Sequence, residues 1–164
     1  MISIIIVSWN TAGFLEDYLT SILANPPTSP FESWVVDNAS TDDGPRMVRE
    51  KFPQVHLIEN HENVGFARAN NQAIQRCTGK YVLLLNPDTQ VASGALQALV
   101  DFLDQHPEAG AAGGRIFNPN GSRQFSSHPR PTLSREIRRL LHLDALWPYA
   151  IYPLTKWETN SPRK

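Results

Sequence analysis

The stretch ISIIIVSWN, residues 2–10, decides the fold of this chain. Its nearly continuous β-branched run predicts a strand buried on both faces, as in sheets that helices cover. Its polar end predicts a turn, after which Thr11 can cap a helix that the prolines at 26 and 27 stop. The apolar residues of that helix recur at helical spacing: Phe14, Leu15, Tyr18, Leu19, Ile22 and Leu23. The first unit is therefore strand, polar turn, helix.

The same unit recurs along the chain. Further strands are predicted at residues 32–36, 55–59, 81–85 and 109–116, and further helices at 45–52, 65–77 and 93–106. The strand at 81–85 is expected to be buried, and the helix at 65–77 to bury a stripe of Phe66, Ala69, Ala73 and Ile74. Strands that alternate with helices favour an α/β fold with a mostly parallel sheet flanked by helices.

The character of the sequence changes after Asn118. A tight turn is predicted at residues 118–121, a short basic amphipathic helix at 133–143, and Pro- and aromatic-rich sequence without periodicity from 147 onward. We therefore expect an α/β domain at residues 1–118 and a basic C-terminal extension, without a core of its own, at 119–164.

Length and composition restrict the class of protein. The 164 residues suit one domain, and 41% hydrophobic residues without a run of about 20 apolar ones exclude a membrane-spanning chain. The lone Cys77 cannot form an internal disulfide and no leader sequence is recognisable, so we expect a reducing cytoplasm. Charge is uneven, because residues 1–114 carry a net −7 and residues 115–164 a net +6. The basic end suits phosphates, anionic lipid or nucleic acid, and a solvated basic helix is the plain alternative.

In an open parallel sheet ligands bind at the carboxyl ends of the strands, so the turns there form the candidate site. Asp37 follows the second strand, and its carboxylate, which only accepts hydrogen bonds, suits the N3–H of uracil or thymine. A turn and helix cap formed by Asp37 is the alternative. Trp9 follows the first strand, where its ring can stack on a base or pack in the core.

Asp88 follows the fourth strand in the sequence Asn86-Pro87-Asp88. Pro87 lacks an N–H and fixes the chain leaving the strand, so we expect Asp88 to point outward. A hard divalent cation prefers oxygen ligands and is commonly held by one or two carboxylates together with substrate phosphates. Asp88 with the Asn86 amide therefore predicts an Mg²⁺ or Mn²⁺ site, and a turn without metal is the alternative.

The sequence NVGFARANN, residues 63–71, places Gly65 near a predicted helix start, where free N–H groups favour an anion, and Arg68 adds a positive charge. No G-x-G-x-x-G follows the first strand and no P-loop signature occurs, which disfavours dinucleotide oxidoreductases and P-loop NTPases. The histidines and Cys77 show no spacing typical of a zinc site.

Four segments in this order resemble the family 2 glycosyltransferases, and most closely bacterial rhamnosyltransferase-like members: VSWN at 7–10, VVDNASTD at 35–42, NVGFARANN at 63–71 and LLNPD at 84–88. The resemblance implies the GT-A fold and a nucleoside diphosphate sugar donor, with Asp37 as the base-binding aspartate. The candidate substrate-binding residues are then Val7, Trp9, Asp37, Asn63, Gly65, Arg68 and Asn86, and the candidate metal ligand is Asp88.

The chain also departs from the family pattern. In the family, the inverting general base is an acidic residue of an acceptor-binding half, and no segment after Asp88 matches that motif. Acidic residues there are scattered over the fourth predicted helix and the extension, among them Asp101, Asp104, Glu108, Asp144 and Glu158. The first carboxylate of the family's metal motif is replaced by Asn86, so we expect metal binding either to be weaker or to depend more on the diphosphate. We therefore expect this chain alone to lack the general base.

The leading hypothesis is the donor-binding part of an inverting glycosyltransferase. It transfers a sugar, with rhamnose as one candidate, from a dTDP- or UDP-linked donor to a cell-envelope glycan or lipid-linked acceptor. This hypothesis places the protein in the cytoplasm, with peripheral contact to the inner face of the membrane through the basic extension. A nucleotide-binding or assembly module of the same fold without catalysis is the alternative. Nucleic-acid binding through residues 115–164 is a third hypothesis and is not expected.

Overall fold

Strands and helices alternate from residue 2 to residue 105, within residues 1–124 that the computed structural model describes. Their bounds are β1 Ile2–Ser8, α1 Ala12–Ala24, β2 Phe31–Asp37, α2 Gly44–Lys51, β3 His56–Glu59, α3 Phe66–Ile74, β4 Tyr81–Leu85, α4 Ala95–Gln105, β5 Ile116–Phe117 and β6 Arg123–Gln124. The chain divides into two units after Ala112, so β5 and β6 are described separately. The boundary predicted after residue 118 stays a prediction.

β1 lies inside a four-stranded sheet of order β3-β2-β1-β4, in which every neighbouring pair runs parallel. Ser8 at the end of β1 pairs with Asp37 at the end of β2, and Asp37 pairs with Glu59 at the end of β3. Because parallel strands end at the same edge, the turns that follow them come together there. The predicted α/β class and parallel sheet are confirmed.

β1 is covered on both faces, as its β-branched run predicts. Ile4 and Ile6 pack with buried residues of α1, α2 and α4 on one face, and Ile5 packs with Ala69 and Ala73 of α3 on the other. All three isoleucines are fully buried, and each contributes about 2 kcal/mol of transfer free energy. Apolar packing on both faces therefore fixes β1, whose end lies at the edge of the sheet where the turns come together.

The helix predicted at 65–77 is shorter and less buried than expected. α3 ends at Ile74, and only Ala69 and Ala73 of its predicted stripe are buried. Phe66 and Ile74 are 55% and 39% exposed, so their predicted burial is wrong. The two small alanines let α3 lie close to the sheet, and this narrow contact leaves the larger flanking side chains outside it.

β4 is covered on one face only, whereas the sequence predicts burial of the whole strand. Val82 and Leu84 are 42% and 44% exposed, and they pair in register with Ser3 and Ile5 of β1. Ile5 lies under α3, which packs over β1 and β2. Since α3 does not extend over β4, the prediction of a buried fourth strand is wrong for that face.

In the second unit, β5 and β6 form an antiparallel hairpin in place of the fifth strand predicted at 109–116. The hairpin contains the predicted tight turn, in which the Gly121 N–H donates to the Asn118 carbonyl at 2.8 Å. The segment before β5 is rich in glycine, which weakens a strand because it offers few side chains to pack. Its glycines are Gly110, Gly113 and Gly114.

Several predictions fall beyond residue 124 and lie outside the described residues. They are the basic helix at 133–143, the aromatic sequence from 147 onward, and the carboxylates Asp144 and Glu158. Within residues 1–124, no helix has both the length and the apolar character that crossing a bilayer requires.

Candidate functional site

Asp37 is the last residue of β2 and only 4% of it is exposed. Its Oδ2 accepts a hydrogen bond from the Ser40 N–H at 3.0 Å, whereas its Oδ1 accepts none from residues 1–124 and is not sealed from solvent. The sequence offers a turn and a helix cap as the alternative role of Asp37. The turn is present, but Asp37 does not cap a helix, because Asp43 is the N-cap of α2. One carboxylate oxygen remains to accept a hydrogen bond from a ligand.

An open depression of about 470 Å³ lies beside Asp37. It is lined by the ends of β2 and β3 and by the residues that follow them: Asp37, Ala39, Ser40, Thr41, Pro45, Glu59, Asn60 and His61. This volume is in the range of sites that hold small organic ligands. The structure therefore places the Asp37 carboxylate, with one oxygen unpaired within residues 1–124, in the wall of this open depression.

The turn after β1 lies against the turn after β2. Val7 is half-buried on the α3 face of the sheet. Trp9 is 55% exposed, so the alternative prediction that its ring packs in the core is wrong. Next to Trp9, Asn10 accepts a hydrogen bond at Oδ1 from the Thr41 N–H at 2.8 Å. The two turns thus form one connected rim with an exposed indole ring on it.

Asn38 is buried and fastens the loop between β3 and α3 to the end of β2. Its Nδ2 donates to Asn63 Oδ1 at 2.7 Å, and its Oδ1 accepts from the Val64 N–H at 3.0 Å. Asn60 donates to the same Oδ1 at 3.2 Å and exchanges two further hydrogen bonds with Gln72 of α3. Periodicity predicts none of these contacts, and their only trace in the sequence is the number of asparagines in the two loops.

Three of the predicted ligand residues lie at the start of α3. Gly65 is the N-cap, with a φ of 83° that favours glycine. Asn63 Oδ1 accepts from the Asn38 side chain and from the Gly65 N–H at 3.0 Å, so this oxygen shapes the loop. Arg68 is exposed, and no acidic residue in the described part of the chain pairs with it. The structure therefore places an unpaired cation in the first turn of α3.

Asn86 and Asp88 follow β4, which is the neighbour of β1, so they lie at the same edge of the sheet. Both residues are exposed, and the Asp88 carboxylate accepts no hydrogen bond within residues 1–124. Residues 1–124 contain no group of three or more His, Cys, Asp or Glu side chains placed to hold a metal ion. Asp88 and Asn86 therefore supply one carboxylate and one amide, and the other ligands of a metal ion have to come from groups other than these two.

The carboxylates of α4 and the residues after it are engaged in local contacts. Asp104 accepts hydrogen bonds from Lys80 Nζ at 2.5 Å and from the Tyr81 hydroxyl at 2.6 Å. The bond from Lys80 is the main cause of the lowered pKa of Asp104. Asp101 accepts from a glutamine one turn earlier, and Glu108 contacts a nearby histidine. None of these three groups therefore stands out as a free base at the site.

Comparison with known proteins identifies the family. The profile of Glycosyl transferase family 2 matches residues 3–155. Over 161 residues the chain is 30% identical to the N-acetylglucosaminyl-diphospho-decaprenol L-rhamnosyltransferase of Mycobacterium tuberculosis, with 90% of this chain and 51% of that protein covered. The chain therefore spans about half the length of the curated relatives that it matches.

Two solved structures show the same fold. Staphylococcus aureus TarS 1–349 in complex with UDP-GlcNAc has a TM-score of 0.58 at 25% identity, covering 65% of this chain and 32% of that one. The mannosyltransferase PcManGT from Pyrobaculum calidifontis, in complex with GDP-Man and Mn²⁺, has a TM-score of 0.57 at 33% identity and covers 62% and 32%. The GT-A fold expected from the four sequence segments is confirmed. This chain belongs to glycosyl transferase family 2.

Proposed function

We propose that this chain is the donor-binding part of an inverting glycosyltransferase and that its site binds a nucleoside diphosphate sugar. The observation that carries the proposal is the Asp37 carboxylate, which is nearly buried, has one oxygen without a hydrogen bond within residues 1–124, and lines a cavity of about 470 Å³. Because this oxygen is open to solvent and has no protein donor within residues 1–124, a ligand N–H can replace water there and form a charge-assisted hydrogen bond.

The base is a pyrimidine in this proposal. An ionised carboxylate only accepts, so Asp37 pairs with the N3–H of uracil or thymine and is repelled by an edge that offers acceptors. Trp9, half exposed on the neighbouring turn, presents a ring on which a base can stack. S. aureus TarS, a relative with the same fold, has been crystallised with UDP-GlcNAc, which supports a UDP- or dTDP-linked donor.

The diphosphate lies toward the start of α3 and the end of β4. The N-terminus of α3 at Gly65 presents backbone N–H groups, and Arg68 adds an exposed positive charge without a partner within residues 1–124. Asn63 Oδ1 accepts a hydrogen bond from the Gly65 N–H. The NH₂ group of Asn63 is therefore left to donate to the substrate. These residues therefore supply donors and charge to phosphate oxygens.

Mg²⁺ or Mn²⁺ fits the residues after β4. Asp88 is an exposed carboxylate without a hydrogen bond in the described part of the chain, and Asn86 adds an amide oxygen. A small hard cation is commonly held by one or two carboxylates and by substrate phosphates, so a single Asp suffices when the diphosphate is present. When bound, the cation stabilises negative charge on the leaving diphosphate. The P. calidifontis relative has been crystallised with Mn²⁺, which supports this assignment.

The acceptor in this proposal is a cell-envelope glycan or a lipid-linked sugar, and rhamnose is a candidate for the transferred sugar. The M. tuberculosis relative is named for rhamnosyl transfer to a diphospho-decaprenol-linked sugar, which supports both assignments. We place the protein in the cytoplasm, with its basic residues after 118 approaching anionic lipid at the inner face of the membrane. No residue within 1–124 is assigned as general base, so a nucleotide-binding module without turnover is the second candidate.

The proposal is tested by titrating the 164-residue chain with UDP and dTDP in a calorimeter, with and without Mn²⁺. We expect both nucleotides to bind and Mn²⁺ to tighten binding. Asp37→Ala should weaken binding about 30-fold, since a charge-assisted hydrogen bond contributes about 2 kcal/mol. Binding of neither nucleotide, or equal affinity for the wild-type chain and Asp37→Ala, would overturn the proposal. Sugar transfer to a lipid-linked acceptor then separates the enzyme from the module without turnover.

A further inference from the structure

We propose that Asn10 is a positioning residue for the Asp37 carboxylate, acting through Ser40 and Thr41. Asn10 lies in the turn after β1, and Ser40 and Thr41 lie in the turn after β2 that Asp37 begins. The inference rests on the proposed function, because it gives Asn10 a role in reading the base that Asp37 binds. It assigns to nucleotide recognition a residue that contributes no atom to the lining of the cavity.

Three hydrogen bonds join Asn10 to Ser40 and Thr41, and a fourth joins Ser40 to Asp37. The Asn10 N–H donates to Ser40 Oγ at 2.9 Å, and Asn10 Oδ1 accepts from the Thr41 N–H at 2.8 Å and the Thr41 hydroxyl at 3.2 Å. The Ser40 N–H then donates to Asp37 Oδ2 at 3.0 Å. The backbone N–H of Asn10 holds the Ser40 hydroxyl, and the Asn10 side chain holds Thr41, the residue next to Ser40. Since the Ser40 N–H holds the Asp37 carboxylate, loss of the Asn10 side chain acts on that carboxylate by releasing Thr41.

The backbone of the two turns supports the same assignment. Asn10 and Ala39 have φ values of 54° and 64°, and they are the only residues other than glycine with positive φ in residues 1–124. The left-handed conformation is unfavourable for Ala39 and less so for Asn10, and it persists only where surrounding contacts hold it. Both are found in the two turns that Asn10 ties together, beside the candidate base site. The two left-handed residues therefore lie in the same turns as Ser40 and Thr41, which are the residues that Asn10 is proposed to hold in place.

The chemistry of asparagine suits this position. Asparagine tolerates the left-handed conformation better than other side chains and carries an acceptor that can take both Thr41 donors. Glycine at this position would keep the backbone conformation and lose the acceptor. Aspartate would keep both the conformation and the acceptor. The two substitutions thus separate the backbone of Asn10 from its side-chain hydrogen bonds.

The test measures UDP affinity of the full chain by calorimetry for Asn10→Gly, Asn10→Asp, Asp37→Ala and the double variant Asn10→Gly/Asp37→Ala. Asn25→Ala is the matched control, since the Asn25 side chain also makes hydrogen bonds to the backbone, donating to the carbonyls of Ser21 and Val91 at the opposite end of α1. Far-UV circular dichroism checks that each variant folds. If Asn10→Gly does not fold, Thr41→Val is used, because it removes only the hydroxyl that donates to Asn10.

We expect Asn10→Gly to weaken UDP binding about tenfold, equal to about 1.4 kcal/mol, and Thr41→Val about threefold. Asn10→Asp should restore affinity to within about threefold of wild type, and Asn25→Ala should leave it unchanged. The double variant should bind no more weakly than Asp37→Ala alone, because Asn10 acts through that carboxylate. The preference for UDP over CDP, whose base offers an acceptor at N3, should also fall in Asn10→Gly.

Three results would overturn the inference while leaving the proposed function intact. They are a large effect of Asp37→Ala with none of Asn10→Gly or Thr41→Val, additive effects in the double variant, and an equal loss in Asn25→Ala. If Asp37→Ala has no effect on UDP binding, the proposed function fails first and the role of Asn10 fails with it.

Discussion

The Asp42 carboxylate caps α1 from the turn after β2: its Oδ2 accepts a hydrogen bond from the Ala12 N–H at 2.9 Å, across a separation of 30 residues. Its Oδ1 accepts from the N–H of Gly44, the first residue of α2, at 3.0 Å. One carboxylate therefore serves the N-termini of two helices, where the helix dipoles also favour a negative charge. Thr11, the cap predicted from sequence, makes no capping hydrogen bond through its side chain and contacts Ser8 instead.

This double cap predicts that Asp42→Ala lowers the free energy of unfolding by about 2 kcal/mol, because two backbone N–H groups lose their partner. The measurement is urea unfolding followed by circular dichroism. Asp43→Ala is the control: Asp43 is adjacent and exposed, makes no side-chain cap bond, and forms only an exposed ion pair with Arg46. It should change stability by less than about 0.5 kcal/mol. Equal losses in both variants would show that the contacts of Asp42 do not support α1 and α2.

Gly79 packs against the backbone of β1. A Cβ placed there would lie 2.6 Å from the Ser3 nitrogen and 3.0 Å from the Ile2 carbonyl carbon, and neither backbone atom can move without shifting β1. Gly79→Ala should therefore destabilise the protein by about 2 kcal/mol. Gly13→Ala is the matched control, since a Cβ there meets no atom within 4 Å and alanine favours α1 by up to about 1 kcal/mol. Thermal unfolding should show a lower melting temperature than wild type for Gly79→Ala and a higher one for Gly13→Ala.

Glu32 joins the start of β2 to β1 and to the residues before β4. Its Oε1 accepts from the Ser3 hydroxyl and from the Thr78 N–H, both at 2.6 Å. Burial alone would raise the pKa of Glu32, but the hydrogen bonds from Ser3 and Thr78 outweigh it, so the pKa lies below its ordinary value of 4.5. A lowered pKa in the folded state means that the stabilisation is complete above pH 4.5 and is lost as pH falls through the lowered value.

Glu32→Gln should accordingly lower the free energy of unfolding by about 2 kcal/mol at pH 7 and by much less at the acid end of the range. Urea unfolding between pH 7 and about pH 3 should show a steeper loss of stability for the wild-type chain than for Glu32→Gln. Glu16→Gln, which removes only an exposed ion pair with Lys51, should leave the wild-type slope unchanged. Parallel pH profiles for wild type and Glu32→Gln would contradict a role for the ionised carboxylate.

The assignment of Asp88 predicts a metal-dependent difference in nucleotide affinity. In wild type, Mn²⁺ should tighten UDP binding about tenfold, and Asp88→Asn should abolish this gain without changing affinity in the absence of metal. Asp17→Asn removes the same charge from an exposed position on α1 and should leave the gain intact. Calorimetric titration with and without Mn²⁺ provides the comparison. An undiminished Mn²⁺ effect in Asp88→Asn would mean that other groups hold the cation.

Much of the fold is predictable from local sequence. The β-branched run at Ile2–Ser8 identifies β1, and the polar residues after each strand locate the edge of the sheet where the candidate site lies, because both are patterns of consecutive residues. Periodicity cannot show how wide a surface a helix covers. This is why Phe66 and Ile74 are exposed although they share a helical stripe with Ala69 and Ala73.

Less of the candidate site is predictable. Asp37, Asn63, Gly65 and Asp88 can be picked out because each follows a strand or precedes a helix. The contacts that hold them cannot, since they join residues far apart in sequence: Asn38 meets Asn63 across 25 positions and Asn10 meets Thr41 across 31. A sequence shows many asparagines in these loops without showing which pairs meet.

Recognition of a pyrimidine by Asp37 is tested most directly by comparing UDP with its N3-methylated analogue in a calorimetric titration of the wild-type chain and Asp37→Ala. Methylation removes the N3–H that the free Asp37 oxygen is proposed to accept. We predict that it weakens binding to wild type at least about tenfold and leaves binding to Asp37→Ala unchanged. Equal affinity of the wild-type chain for UDP and the methylated nucleotide would contradict recognition of the base by Asp37.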